Sequence, residues 1–199
     1  MKNPFRHLFV RDRHVCPWWV CFTFDNFIRK LFHNPENILA PYVHEGDTVL
    51  DVGPGMGYFS IPLARMVGDK GKVIAVDVQA PMMAALRKRA RKQGLEERIV
   101  SHVCEADSIG IHEPIDFALA FWMIHEVPNQ SKLFCEIRLL LKPKGRLLLA
   151  EPVFHVTRRM FEETLKTAGE AGFKVTGGPK IFMSHTALLS LRGGRAGSP

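Results

Sequence analysis

The sequence predicts an α/β fold: a mostly parallel seven-stranded sheet with helices on both faces and an antiparallel strand pair at its C-terminal end. Three observations carry this. Five short apolar segments, at 48–52, 72–76, 99–103, 115–121 and 146–150, recur along a chain whose intervening stretches have helical periodicity, and strands that apolar need cover on both faces. The first segment ends in an acidic residue and runs directly into a glycine turn, Asp51-Val52-Gly53-Pro54-Gly55-Met56-Gly57. Two later segments of β character, 173–176 and 181–191, are separated by Gly177-Gly178-Pro179, which can fold one back on the other.

Residues 1–34 stand outside the pattern and are expected to form an aromatic arm or lid, with Trp18, Trp19, Phe22, Phe24 and Phe27 among basic residues. Asp25 is placed to begin a short helix carrying Phe27, Ile28 and Leu31 on one side. Asn34-Pro35-Glu36 predicts a helix start, with Asn34 at the cap and Pro35 in the first helical position. That helix runs through Ile38 and Leu39 and stops before Glu45-Gly46. The glycine turn opens a helix over 58–67, closed by Gly68-Asp69-Lys70-Gly71. The second strand leads to a helix over 81–93, ended by Gly94, and the third and fourth strands follow. Leu133, Phe134, Ile137, Leu140 and Leu141 give a helix over 131–141, and Lys142-Pro143-Lys144-Gly145 a turn before the fifth strand. A helix over 157–171 precedes the terminal pair, and 193–199 reads as a frayed tail. The expected domain is thus 35–192, without internal repeats.

Composition narrows the class. A chain of 199 residues, 46% hydrophobic and 24% charged, suits one soluble domain with a sizeable core. Apolar runs such as 117–124 are far shorter than the roughly 20 residues that span a bilayer. The basic N-terminus lacks the apolar core of a secretory signal. Four cysteines are too few for a disulfide scaffold and suggest the cytoplasm, with Cys104 and Cys135 expected in the core. Part of the net charge of +7 lies in Arg87-Lys88-Arg89-Ala90-Arg91-Lys92. A solvated helix face accounts for it; nucleic acid or an anionic membrane surface is the lesser alternative, since no aromatic-interleaved basic strand accompanies the run.

In an open parallel sheet a ligand binds beyond the carboxyl ends of the strands. Here those ends carry Asp51, Asp77 and Asp107. Asp77 is placed to accept both hydroxyls of a ribose. A pyrophosphate wants bare N–H groups and no carboxylate nearby, whereas Asp51 favours a ligand bearing an ammonium group. The dinucleotide fingerprint would also want a glycine where Tyr58 stands. Asp107 can accept from an exocyclic adenine amine, with the Ser108 N–H toward the ring. The three positions together describe a nucleoside with an amino acid attached.

The sequence resembles the class I S-adenosylmethionine-dependent methyltransferases over roughly residues 35–191. The matching stretches are Val49-Leu50-Asp51-Val52-Gly53-Pro54-Gly55-Met56-Gly57, Val73-Ile74-Ala75-Val76-Asp77-Val78-Gln79, Glu105-Ala106-Asp107-Ser108, Ile115-Asp116-Phe117-Ala118-Leu119-Ala120 and Leu141-Lys142-Pro143-Lys144-Gly145-Arg146-Leu147. One departure is Pro54, where many members carry Cys, Ala or Thr; it stiffens the turn and removes a donor. The resemblance implies a Rossmann-like fold, S-adenosylmethionine as cofactor and, within the family, the small-molecule branch. The implied cofactor set is Asp51, Gly53, Gly55, Gly57 and Tyr58 from the first loop, Asp77, Val78, Gln79 and Met82 from the second, Asp107 and Ser108 from the third, and Phe121 at the end of the fourth strand.

Methyl transfer from a sulfonium asks the protein to position the nucleophile and exclude water, and to supply a base only where the acceptor loses a proton. In Phe121-Trp122-Met123-Ile124-His125-Glu126, His125 is the candidate base, with Trp122 and Glu126 beside the acceptor; an ordinary capping role for His125 is the competing reading. Glu151 and His155 follow the fifth strand at the same edge, Glu151 as a structural acceptor. His14, Cys16, Trp18, Trp19 and Phe24 are expected to line the acceptor site from the arm, with simple packing, or a homodimer contact through the arm, as the alternative. The His14-to-Cys21 stretch lacks a second ligand pair, so no metal is expected. The anticipated acceptor is small or lipid-like. RNA or protein methylation, a non-catalytic cofactor-binding module and a nicotinamide-dependent oxidoreductase are the rivals.

Overall fold

The computed structural model describes residues 32–193. Seven strands form one sheet: β1 (Thr48–Val52), β2 (Lys72–Asp77), β3 (Ile99–Val103), β4 (Ile115–Phe121), β5 (Leu141–Pro152), β6 (Phe173–Gly177) and β7 (Ser184–Leu191), in the order β3-β2-β1-β4-β5-β7-β6. β1 pairs in parallel with β2 and β4, β2 with β3, and β4 with β5. β7 lies antiparallel between β5 and β6. The order reverses between β1 and β4, so the crevice for a ligand opens at their carboxyl ends.

Strand alternation builds two cores. Val49, Val73, Phe117 and Leu119 face α1 (Pro35–Leu39), α2 (Ser60–Met66) and α3 (Ala80–Lys92). Their neighbours Leu50, Ile74, Ala118 and Ala120 face α4 (Gln130–Leu140) and α5 (Arg158–Glu170). Isolated helices shorter than about 12 residues are marginal in water, so α1 and α2 depend on this packing. Asn34 caps α1, its side chain accepting from the Glu36 and Asn37 amides. On α3, Met82, Met83, Leu86 and Ala90 are buried while Arg87, Lys88, Arg91 and Lys92 are exposed, so the basic run is a solvated face.

Tertiary contacts shift several expected boundaries. β5 begins at Leu141, because the ladder pairs Ile115 with Leu141 and then Phe117 with Arg146. Residues 142–145, expected as a turn, are therefore a bulge within the strand. β7 starts at Ser184 rather than 181: Met183 has φ +55°, outside the extended region, and Ile181 is buried in the core. α2 begins only at Ser60, after the loop has completed its turn. Cys135 is exposed and Cys104 half-buried, since Phe134 and Ile137 take the inward positions on α4. Among the described residues no helix is long and apolar enough to cross a membrane. The expected helix after Asp25 lies outside the described residues.

Candidate active site

The loop after β1 is a cradle of bare backbone. Gly53, Gly55 and Gly57 have φ of +66°, +56° and +88°, a region other residues enter only with strain. The Gly53 N–H donates to the Val76 carbonyl at 2.9 Å, tying the loop to β2. A Cβ on Gly57 would collide with Cδ1 of the fully buried Leu86, so close helix packing as well as conformation demands glycine there. Asp51, only 2% exposed at the start of the cradle, accepts from Ser60 Oγ at 2.6 Å. Tyr58 donates its hydroxyl to the His33 carbonyl at 2.8 Å.

At the end of β2, Asp77 is also buried, and accepts the Gln79 N–H at 2.9 Å. Burial pushes its pKa up to about 6; the Gln79, Gly55 and Val78 amides pull the other way, and Glu126 adds upward pressure. The amide of Gly55 thus links the first loop to the second strand end. Val78 is exposed beside it, whereas Met82, expected at the cofactor, is buried in the core facing α2.

Beyond β3 the arrangement departs from expectation. Asp107 is exposed and its Oδ2 lies 3.1 Å from Lys132 Nζ on α4. The Ser108 N–H donates to the Glu105 carbonyl at 3.3 Å, so it is engaged in its own turn. Glu105 is the carboxylate that directly follows the Cys104 amide, itself bonded to the Asp77 carbonyl at 3.1 Å. A turn of this kind leaves no signal in the sequence that distinguishes Glu105 from Asp107.

β4 leaves the sheet through an abrupt bend. Trp122 has φ +60°, an outlier for an aromatic residue. Its N–H donates to the Ala150 carbonyl at 2.7 Å and its indole Nε1–H to Ser184 Oγ at 2.9 Å. Around it, the rings of His33 and Phe154 lie 4.9 and 5.3 Å away, and Phe121 packs 4.3 Å from Phe59. His33 Nε2 donates to the Phe182 carbonyl at 2.7 Å. Phe32 stacks on Phe182 at 4.7 Å, and these two with Val153, Phe154 and Met183 form an exposed apolar rim at this edge of the sheet.

The bend brings His125 against Glu151, which is 1% exposed at the end of β5. His125 Nδ1 is 2.5 Å from Glu151 Oε2, the Ile124 N–H donates to Oε1 at 2.9 Å and the His125 N–H to Oε2 at 3.3 Å. Nε2 lies 3.9 Å from Glu126 Oε1, and the His155 ring stacks 6.0 Å away. Burial alone would lower the His125 pKa; the hydrogen bond and charge of Glu151, with the charge of Glu126, outweigh it and raise the pKa above the usual value. Sequence reasoning placed Glu151 at this edge but missed its bond to His125, missed Ser60, which bonds Asp51 across the glycine turn, and missed His33 and Ser184, whose partners lie far away in sequence. His14, Cys16, Trp18, Trp19 and Phe24 lie outside the described residues. No group of three or more metal-ligating side chains occurs among the described residues.

Chemically, the cradle can take a cationic head at Asp51 and hydroxyls at Asp77, next to an apolar mouth with a histidine. A family model described as a methyltransferase domain matches residues 43–178, more than half of the chain. A solved S-adenosylmethionine-dependent methyltransferase from Aquifex aeolicus is 26% identical, with a TM-score of 0.80 over 89% of this chain and 99% of that one. The ubiquinone/menaquinone biosynthesis C-methyltransferase UbiE of Francisella tularensis is 27% identical over 132 residues, 64% of this chain and 53% of its own length. The UbiE of Pectobacterium atrosepticum is 30% identical over 146 residues, 64% and 57% of the two chains. The chain thus spans about half the length of the curated relatives it matches. It belongs to the methyltransferase-domain family, within the class I S-adenosylmethionine-dependent methyltransferases.

Proposed function

We propose that the protein transfers a methyl group from S-adenosylmethionine to a small, lipid-like acceptor, with His125 taking the acceptor's proton. The observation that carries the acceptor class is the exposed rim of Phe32, Val153, Phe154, Phe182 and Met183 beside Trp122. Apolar surface of that kind favours an apolar ligand. The names of the UbiE relatives, C-methyltransferases of ubiquinone and menaquinone biosynthesis, support it.

The residues present fit the cofactor. The left-handed glycines leave room for a ligand against bare backbone, and the buried Asp51 matches a cationic amino-acid end. Asp77 takes the ribose hydroxyls, with Tyr58, Val78 and Gln79 along the same edge. For the adenine amine we favour Glu105 over Asp107, because Asp107 already pairs with Lys132 at 3.1 Å. When bound, S-adenosylmethionine supplies an electrophilic methyl group. The chain orients the acceptor against Phe121 and Trp122, excludes water with the surrounding rings and receives a proton at His125.

The test is labelled-methyl transfer into a fractionated lipid and metabolite extract, read by mass spectrometry. A labelled apolar product is expected. Tight cofactor binding in calorimetry without transfer to any fraction would replace this reading with a non-catalytic binding module.

A further inference from the structure

We infer that Glu151 is the positioning residue for His125, holding the imidazole in its Nδ1–H form so that Nε2 faces the acceptor as the base. This rests on the methyl-transfer reading of the site.

The geometry divides the work of one carboxylate between its two oxygens. Oε1 accepts the Ile124 N–H at 2.9 Å, and Oε2 accepts the His125 N–H at 3.3 Å and pairs with Nδ1 at 2.5 Å. The two backbone bonds fix the turn that follows Trp122; the third fixes the ring. A carboxylate oxygen accepts, so Nδ1 must carry the proton, and the neutral ring then has its lone pair on Nε2. A strap needed only for the turn would have no use for the ring contact.

Nothing described competes for that lone pair at hydrogen-bonding distance. Glu126 Oε1 is 3.9 Å away and the His155 ring packs face-on at 6.0 Å. Among the described residues the titratable groups that face the imidazole are Glu151 from β5, Glu126 from its own turn and His155 from the segment after β5. Carboxylates dominate, and they favour the protonated ring. The proton of the acceptor passes to Nε2, the ring becomes an imidazolium with Nδ1–H still against Glu151, and Glu151 gains no proton. After product departs, Nε2 returns the proton to water. Glu151 touches neither acceptor nor cofactor in this scheme; it acts through His125.

The test is nitrogen NMR on the full chain labelled in histidine, which needs no acceptor. In the wild-type protein, neutral His125 is expected as the Nδ1–H form, titrating above the usual value of about 6.5. Glu151→Gln should lower that titration by one pH unit or more, and Glu151→Asp should restore part of the difference. With the labelled acceptor in hand, Glu151→Gln should move the acidic limb of the kcat profile down in pH, with KM for the cofactor changed less than about twofold. Neutral His125 protonated on Nε2 would overturn the inference, as would identical titration in wild type and Glu151→Gln. The wild-type measurement stands even where a variant does not fold. A wild-type protein with the expected tautomer that labels no acceptor would overturn the proposed activity; one that methylates with the opposite tautomer would overturn only the role of Glu151.

Discussion

Two loops leave neighbouring strands at the same edge of the sheet, and they turn by opposite means. After β1 the backbone enters the left-handed region at three glycines; after β4 it does so at Trp122, with φ +60°. The first bend is cheap because no Cβ opposes it. The second costs on the order of 1–3 kcal/mol and persists only because surrounding contacts over-determine it. Those contacts are the Ala150 carbonyl, Ser184 Oγ and the two backbone bonds to Glu151. The difference follows the chemistry. A loop that lets a ligand approach bare backbone can be specified within itself, whereas a loop that must aim a histidine needs support from β5 and β7.

The largest effect that tests this contrast is expected in the glycine loop. Gly57→Ala places a Cβ against Cδ1 of Leu86, which is fully buried and must shift into packed core, at φ +88°. It should cost about 3 kcal/mol or more in denaturant unfolding. Gly55→Ala meets nothing within 4 Å and carries only the strain of φ +56°, so it should cost about 1–2 kcal/mol. Equal losses would mean that conformation alone, not the approach of α3, sets the loop. In the second loop Glu151→Ala strands the Ile124 and His125 amides and should cost about 2–3 kcal/mol. The exposed Glu162→Ala, which loses only its surface ion pair with Arg158, should fall within about 0.5 kcal/mol. If the two substitutions match, the turn does not depend on β5.

The carboxylate at the end of β2 gives a pH signature of intermediate size. Asp77 has a folded pKa of about 6 against an ordinary value of 3.8, so the folded protein holds this proton longer than the unfolded chain. The group therefore weakens the fold progressively as pH rises through that interval, by about 1–3 kcal/mol, and the loss persists above it. Asp77→Asn should abolish the slope and exceed the wild type in stability at neutral pH, while weakening cofactor binding in calorimetry at least tenfold. A wild type that gains stability relative to the variant across that interval would contradict the assignment. His125 acts in the same direction at higher pH. Its folded pKa is raised, so its contribution is complete below the unfolded value and is lost as pH rises through the folded one.

The same contrast explains what was legible in the sequence. The parallel strands, their order of connection and the first loop could be read because apolar runs, caps and glycines are local signals; Asn34 and Pro35 start α1 as their residue types dictate. The bulge at 142–145 and the late start of β7 could not, since pairing with β4 and a left-handed Met183 decide them. His125 was visible as a candidate, but its partner Glu151 is 26 residues away and meets it only because β4 and β5 are adjacent. The ion pair of Asp107 was hidden for the same reason: Lys132 comes from α4, 25 residues further along the chain.

The smallest expected effect isolates strain from support. Met183 faces the same edge as Trp122, with φ +55°, and its carbonyl accepts the Val153 N–H at 3.0 Å. Its side chain is largely exposed, so replacing it removes little core packing. Met183→Gly keeps the backbone bond and relieves the left-handed strain, and should raise stability by about 1 kcal/mol, a rise of about 2–4 °C in Tm for a chain of this size. The change also strips an apolar residue from the rim, so KM for a lipid-like acceptor should rise a few-fold while cofactor affinity holds. A gain in stability without any loss at the acceptor would show that Met183 is strained for the sake of the β7 start alone. A loss of stability would show instead that its side chain, and not only its backbone, supports the second bend.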